Sequence, residues 1–127
     1  LVYISRKQNL SVISDSSLQL SKECALAKRY IDSNYSQNIT LDSLAEITHI
    51  NKFYLAHSFT ECVGQSPINY LTDRRLEACK ELLVSSNLSV AQVATSVGFS
   101  SQSYFSQIFR KKTGMTPRQY RSRYARK

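Results

Sequence analysis

The chain has 127 residues, of which 42% are hydrophobic, with three glycines, two prolines and no tryptophan. These proportions are those of an ordinary globular protein, and they exclude collagen-like, low-complexity and linker classes. No apolar run approaches the ~20 residues that are needed to cross a bilayer, and no signal peptide is visible. We therefore expect a cytoplasmic protein that makes no membrane contact.

The net charge of +8 arises entirely in the C-terminal part of the sequence. Residues 1–81 carry nine basic and nine acidic side chains, whereas the remaining residues carry eight basic side chains and no acidic one. A segregated charge of this kind is typical either of a solubilising tail or of a surface that binds a polyanion.

The three cysteines, Cys24, Cys62 and Cys79, are widely spaced and form no CxxC motif. Neither His49 nor His57 has the spacing to a cysteine pair that a zinc site requires. The sequence therefore predicts buried, reduced thiols, as expected in a reducing cytoplasm, and no metal or other cofactor.

Residues 1–20 begin with an apolar segment and then turn polar and serine-rich. This composition predicts the end of an upstream domain followed by a linker. From Ser21 to about Tyr35, apolar residues recur at helical spacing, so the first helix is expected there.

Two helices are predicted next, separated by a short turn. Thr40 is a suitable N-cap for a short helix over Leu41–Thr48. Asn51 is a suitable N-cap for a longer helix that runs to about Val63, where Gly64 occupies the position that glycine favours after a helix.

A long helix is predicted from Ser66-Pro67, which combine an N-cap with proline at the first helical position. Apolar residues recur every three to four residues as far as Val84 or Ser85, which gives a helix about 30 Å long at ~1.5 Å per residue. Successive major-groove faces on one side of B-DNA lie about 34 Å apart. One stiff helix of this length can therefore hold two DNA readers about one helical turn apart, without a dimer.

The last three helices are predicted from a capping box, a serine N-cap, and a threonine that precedes proline. The capping box joins Ser89 and Gln92, and Gly98 ends that helix. The predicted bounds are Ser89 to Val97, Ser101 to Thr113 with Ser100 as the cap, and Thr116 to about Tyr124. The fold prediction is therefore all-α, with seven helices and no strand.

One pattern occurs twice along the chain, about 50 residues apart. Each copy contains a short helix, a turn and a longer helix that ends at a glycine; Phe59 matches Phe109, and Gly64 matches Gly114. One residue is inserted between the helices of the second copy, in the turn. This unit is the layout of a helix-turn-helix DNA reader, so two readers are predicted.

The longer helix of the second copy has an apolar stripe and an opposite polar face. Tyr104, Phe105, Ile108 and Phe109 are expected to pack inward. The polar face has no acidic residue, although a merely solvated face would mix glutamate with lysine. Serine and glutamine suit base edges in the major groove, and the basic residues further along suit phosphates. The predicted base contacts are Ser101, Gln102, Ser103, Ser106 and Gln107, and the predicted phosphate contacts are Ser100, Arg110, Lys111, Lys112 and, on the last helix, Arg118.

The longer helix of the first copy is a less regular reader. Phe53 is suited to a thymine methyl group, and His57 to a base or a phosphate, although a surface histidine explains His57 equally well. Glu61 is expected to point away from DNA. The inward residues are predicted to be Tyr54, Leu55, Ser58, Phe59 and Cys62. The residues left for solvent or DNA are Lys52, Phe53, Ala56, His57 and Thr60, and Asn51 is predicted at a phosphate.

The second copy resembles the DNA-binding domain of the AraC/XylS family of bacterial transcription regulators, most specifically in three stretches, Val97–Ser106, Phe109–Pro117 and Tyr120-Arg121. The resemblance covers about residues 22 to 124. It implies seven helices in two subdomains, joined by the helix that contains Arg75-Leu76. It also implies base contacts from Lys52, Phe53, Ala56 and His57 in the first copy, and from Ser101, Gln102, Ser103, Ser106 and Gln107 in the second. The first copy departs from the family pattern at His49, Phe53 and His57, where a glycine, a polar residue and an arginine are common.

The resemblance also implies an organisation and a function. We expect a first helix-turn-helix subdomain at residues 21–65, a linker helix at 66–85, and a second subdomain with a basic C-terminal helix at 86–127. The expected function is sequence-specific binding of double-stranded promoter or operator DNA in adjacent major grooves, which regulates bacterial transcription. RNA polymerase is an expected partner, and an effector or dimerisation domain is expected upstream. The C-terminal reader is expected to anchor the protein, and the N-terminal reader to adjust its preference.

Two other function classes fit the sequence less well. The sequence has no Ser-His-Asp spacing and no glycine-rich phosphate loop, so an enzyme is not expected. A basic helical module that binds an acidic protein or a membrane surface is the alternative. That module needs large exposed apolar residues, whereas Tyr120 and Tyr124 are spaced like core or edge positions. Comparing binding to a mixed-sequence duplex with binding to anionic vesicles distinguishes a DNA-binding protein from such a module.

Overall fold

A computed structural model describes residues 22–125 of the chain. The predicted upstream segment at residues 1–20 lies outside the described residues, as do Arg126 and Lys127. Seven helices occupy the described range, and no strand occurs within it. They are α1 (22–34), α2 (Leu41–Thr48), α3 (Lys52–Val63), α4 (Pro67–Ser85), α5 (Val90–Ser96), α6 (Gln102–Thr113) and α7 (Pro117–Tyr124). The all-α prediction with seven helices is confirmed.

Capping boxes fix the start of three helices. Thr40, Ser89 and Thr116 each accept a hydrogen bond from the backbone N–H three residues later, and the side chain at that later position accepts from the N–H of the cap residue. Two N–H groups that a helix leaves unpaired are thereby satisfied at the start of α2, α5 and α7. The capping box that was predicted at Ser89 and Gln92 is confirmed.

The chain forms two compact units. Of the described residues, the first comprises 22–30 together with Thr40–Ile68, and the second comprises Ile31–Ile39 together with 69–125. The first unit contains α2 and α3, and the second contains α5, α6 and α7, while α1 and α4 contribute residues to both. Each unit therefore holds one short and one longer helix of the repeated pattern.

The core of the first unit is small and includes polar side chains. Leu44, Leu55 and Phe59 are fully buried. The buried hydroxyl groups of Thr48 and Ser58 donate to backbone carbonyls one turn earlier, both at 2.9 Å. Because these hydroxyls are hydrogen-bonded, their burial carries little of the cost of an unpaired polar group.

Two of the three cysteines are buried, as predicted. In the first unit, burial raises the pKa of Cys24 to about 11, and its thiol donates to the Ser58 hydroxyl at 3.6 Å. In the second unit, burial raises the pKa of Cys79 to about 12. The prediction is wrong for Cys62, which is exposed, because the buried stripe of α3 ends at Phe59.

The core of the second unit is larger and aromatic. Phe99, Phe105 and Phe109 are buried, and their successive ring centres lie 5.2 and 5.6 Å apart. Tyr120 of α7 meets Phe109 edge to face, with 5.5 Å between the ring centres. Aromatic pairs of this kind stabilise by about 0.5–1.5 kcal/mol beyond the burial of their area. One face of α6 is therefore fixed in the core, and the opposite face is left to solvent.

Two arginines satisfy backbone carbonyls at helix ends within the second unit. Arg75 of α4 donates through Nε to the carbonyl of Tyr35 (2.6 Å) and through Nη2 to the carbonyl of Gln37 (2.8 Å). Arg121 of α7 donates through Nε to the carbonyl of Leu83 (2.9 Å). The last carbonyls of a helix have no partner inside it, so each arginine supplies a missing donor and links two elements.

Candidate DNA interface

The start of α6 differs from the prediction by one residue. Its N-cap is Ser101, whose hydroxyl accepts from the N–H of Tyr104 at 3.2 Å, while Ser100 precedes the cap. Adjacent serines can both cap a helix, and the turn after Gly98 takes one residue more than predicted, so the cap falls on Ser101. Gln102 is therefore the first helical residue, and the Ser101 hydroxyl is engaged with the backbone.

The turns before the two longer helices contain matched residues with left-handed backbone. Gly98 has a φ of +106°, and His49 has a φ of +59°. The left-handed backbone at Gly98 favours glycine, and a Cβ atom there would lie 2.9 Å from Nε of Arg75, so the guanidinium would have to shift. In the first unit, His49 adopts the same region at an energetic cost that glycine avoids.

The exposed face of α6 carries the predicted base-contact residues. Phe105 and Phe109 are fully buried, whereas Gln102, Ser103 and Gln107 are exposed. Ser103 and Gln107 are four residues apart and so lie side by side on the helix. Further polar residues of this helix that are exposed or half-buried include Ser106, Arg110 and Lys111. The structure thus brings serine, glutamine and basic side chains together on the side opposite the core.

The two lysines at the end of α6 have different surroundings. Lys112 Nζ lies 3.1 Å from Oδ1 of Asp73, within the second unit. Residues seven apart lie on nearly the same side of a helix, so Lys112 is on the side of buried Phe105, and Lys111 is on the side of exposed Tyr104. Lys111 is therefore open to a phosphate, whereas Lys112 pairs with a carboxylate, and the two side chains of that pair are 40% and 39% exposed.

The exposed face of α3 is more mixed in character. Phe53 is 72% exposed, and Nζ of Lys52 lies 5.6 Å from its ring centre and 3.1 Å from Oδ1 of Asp42. His57 is exposed, and its Nε2 lies 3.9 Å from Oε2 of Glu61. The expectation that Glu61 points away from the predicted contact face is therefore wrong, because residues four apart share one face of a helix. Of the remaining predicted contacts, Ala56 is half-buried and Asn51 is the N-cap of α3.

Two tyrosines that were predicted to pack inward are exposed instead. Tyr54 is 68% exposed, and Tyr104, the matched residue of the second unit, is 52% exposed. Each precedes the first buried residue of its helix, Leu55 or Phe105, and one residue turns an α-helix by ~100°. Sequence reasoning did not assign them to the interface. Their helical spacing was equally consistent with a core position. The sequence signal for a surface role was that the same residue, tyrosine, occupies matched positions of the two copies.

Each unit thus has its own candidate surface: the exposed face of α3 in the first, and the exposed face of α6 with the basic side chains beside it in the second. Within residues 22–125, no cluster of three or more His, Cys, Asp or Glu side chains could hold a metal ion. None of the helices in that range is both long enough and apolar enough to span a membrane.

A family model described as a helix-turn-helix domain matches residues 44–123. Among solved structures, the C-terminal domain of AraT, a response regulator from Geobacillus stearothermophilus, is 37% identical to the chain. Its TM-score is 0.82, and the match covers 85% of this chain and 90% of that one. The DNA-binding domain of AdpA, solved in complex with a target DNA, is 25% identical, with a TM-score of 0.71 and coverage of 84% and 92%.

Curated relatives match through the same region. AdaA of Bacillus subtilis (strain 168), a bifunctional transcriptional activator and DNA repair enzyme, is 34% identical over 96 residues, which are 76% of this chain and 46% of AdaA. The chain spans between about a third and a half of the length of the curated relatives that it matches. The family model covers more than half of the chain and agrees with its helices. The chain therefore belongs to the AraC/XylS family of DNA-binding helix-turn-helix transcription regulators.

Proposed function

We propose that this chain reads DNA sequence through α3 and α6, each placed in a major groove, and so regulates transcription in a bacterial cytoplasm. The observation that supports this most strongly is the exposed face of α6. It presents serine, glutamine and basic side chains, in a part of the sequence that contains no acidic residue. Such a face suits base edges and phosphates together, whereas a helix that binds a membrane surface needs an apolar exposed face.

The proposed contacts follow from exposure and chemistry. The proposed base contacts are Gln102, Ser103, Ser106 and Gln107 in α6, and Lys52, Phe53, Ala56 and His57 in α3. The proposed phosphate contacts are Asn51, Ser100, Arg110, Lys111 and Arg118. Ser101 is a further proposed base contact, because it caps α6 only as an acceptor and its hydroxyl hydrogen can still donate. Lys112 is proposed as a weaker phosphate contact, because its ammonium group also pairs with Asp73, as that of Lys52 does with Asp42.

The two readers are proposed to be unequal. In α6, exposed Lys111 follows the base-reading residues, and Arg110 lies beside it. In α3, the residue that matches Lys111 is Glu61, an acidic side chain that repels phosphates. We therefore propose that α6 supplies most of the affinity and that α3 adjusts the preferred sequence.

The rest of the proposed assignment concerns the whole protein. We propose subdomains at 21–65 and 86–127 with a linker helix at 66–85, an effector or dimerisation domain upstream, and RNA polymerase as a partner. A catalytic role for this chain is not proposed. Within the part that the structure describes, the histidine–carboxylate pair of His57 and Glu61 is open to solvent, whereas catalytic pairs need an enclosed site.

Selection of bound sequences from a random duplex pool tests the proposed function. Two conserved blocks about 10 base pairs apart are expected if both helices read bases, because successive major-groove faces are about one turn apart. One block would mean that only one helix reads sequence. A pool that yields no preferred sequence, together with tight binding to anionic vesicles, would favour the membrane-surface alternative and reject the proposal.

Lys111 and Lys112 should differ in their contribution to the salt dependence of DNA binding. Replacing Lys111 with methionine should lower the slope of log K against log salt by roughly 0.9, the value for one lost phosphate contact. Lys112→Met should change the slope much less, because Asp73 already binds that ammonium group. Titration of both variants at four or more salt concentrations measures this. Equal slope changes for the two lysines would contradict the assignment.

Phe53 should read a thymine methyl group. Replacing the contacted thymine with deoxyuridine removes only that methyl, and burial of one such group contributes about 0.8 kcal/mol, so affinity should fall roughly three- to fourfold. The Phe53→Ala variant should bind the two duplexes equally, since it lacks the ring. Competition binding across a set of single thymine-to-uracil duplexes locates the position. If no such duplex separates wild type from the variant, Phe53 does not contact a thymine methyl.

A further inference from the structure

Tyr104 of α6 is an exposed aromatic residue with a fixed position and an open hydroxyl. Its backbone N–H is bonded to the Ser101 cap at 3.2 Å, and its ring centre lies 6.1 Å from that of buried Phe99. Its hydroxyl makes no hydrogen bond with residues 22–125. Because one side of the ring packs against Phe99, the side chain is preorganised, and its hydroxyl can donate a hydrogen bond to an acceptor on another molecule.

The position of Tyr104 on the helix places that donor at the edge of the reading face. Ser103 and Gln107 mark the centre of the exposed face, and Tyr104 lies ~100° from Ser103. Lys111 stands two turns further along the same edge. When a helix enters the major groove, the centre of its exposed face meets base edges and its flanks meet the sugar-phosphate walls.

A second observation makes the exposure of this position systematic. Tyr54, the matched residue of α3, is also exposed, and among the matched positions that are exposed in both helices this pair alone has the same residue type. Tyr104 also lines one groove of the second unit together with Ser100 and Arg75. The groove therefore places two hydroxyl groups near each other, and hydroxyl donors suit a phosphate diester. The Arg75 guanidinium beside them is already bonded to the carbonyls of Tyr35 and Gln37.

We infer that Tyr104 is a DNA-backbone contact, whose hydroxyl donates to a phosphate oxygen on the groove wall that Lys111 also faces. The inference rests on the proposed function, because it assumes that α6 lies in a major groove. It assigns Tyr104 a role in affinity and in the orientation of α6, and no role in choosing the base sequence.

The conservative variant Tyr104→Phe isolates the hydroxyl, because the ring and its packing on Phe99 are retained. Loss of one hydrogen bond from a neutral hydroxyl to a charged phosphate should weaken binding about 10- to 100-fold, by the same factor on the selected duplex and on a mixed-sequence duplex. The salt slope should not change, since a neutral hydroxyl releases no counterion. Tyr124→Phe, at an exposed tyrosine of α7, is the matched control and should bind like wild type.

A methylphosphonate scan tests the contact directly. Replacing the contacted phosphate with a neutral methylphosphonate should weaken wild type, and Tyr104→Phe should cause no further loss on that one duplex. Wild-type affinity of Tyr104→Phe, or a loss confined to the selected sequence, would overturn the inference. If wild type itself binds no duplex, the proposed function fails; if wild type binds and the variant binds equally, the inference alone fails.

Discussion

Replacing Arg75 with methionine should lower the free energy of unfolding by about 2–4 kcal/mol, because two charge-assisted hydrogen bonds contribute about 1.5–3 kcal/mol each and water compensates part of their loss. The two bonds, to the carbonyls of Tyr35 and Gln37, are 2.6 and 2.8 Å long. The guanidinium also lies 5.7 Å from the ring centre of Phe99. The substitution therefore removes a link between the segment after α1, helix α4 and the turn before α6.

Urea unfolding followed by circular dichroism measures this loss. Lys80→Met is the matched control, since Lys80 lies on the same helix and its pairing with Glu77 (3.2 Å) is an i,i+3 surface contact worth well under about 1 kcal/mol. We also expect weaker DNA binding by Arg75→Met, because the turn that carries α6 loses a support. An unfolding free energy within 0.5 kcal/mol of the control, on the order of a neutral surface substitution, would refute the role of Arg75.

Helix boundaries were predictable because the signals that set them are local. Thr40, Ser89 and Thr116 act on amides only three residues away, and each was identified as a cap from its neighbours alone. The one error in a cap, Ser100 for Ser101, concerns two adjacent serines of equal capping ability. Their choice depends on the length of the preceding turn, which sequence does not encode locally.

Features that depend on distant residues were not predictable. Asp73 binds Lys112 across 39 positions of sequence, and Arg75 reaches carbonyls about 40 residues earlier. Tyr104 illustrates a subtler limit. The helical period identifies a stripe that includes Phe105, yet a neighbour ~100° away can belong to the stripe or to its edge. Whether such a neighbour is buried or exposed depends on how the core packs, and in this protein Tyr104 is exposed.

Replacing Gln107 with alanine should cost about 1–3 kcal/mol of binding free energy on the selected site, because a glutamine amide can pair with both N6 and N7 of one adenine. Gln107 is exposed, lies at the centre of the α6 face, and is one turn from Ser103. The loss should be confined to duplexes that carry the cognate base at one position. At that position, the variant should bind all four base pairs with similar affinity.

Binding of the wild type and the variant to all four base pairs at each position of the selected site measures this. Asn87→Ala, which removes an exposed amide outside α3 and α6, controls for general effects of losing such a group and should leave every affinity unchanged. A uniform loss on all sequences would instead make Gln107 a backbone contact, because phosphates carry no sequence information. The pattern of loss, more than its size, therefore separates a base reader from residues such as Lys111, whose removal should weaken every duplex alike.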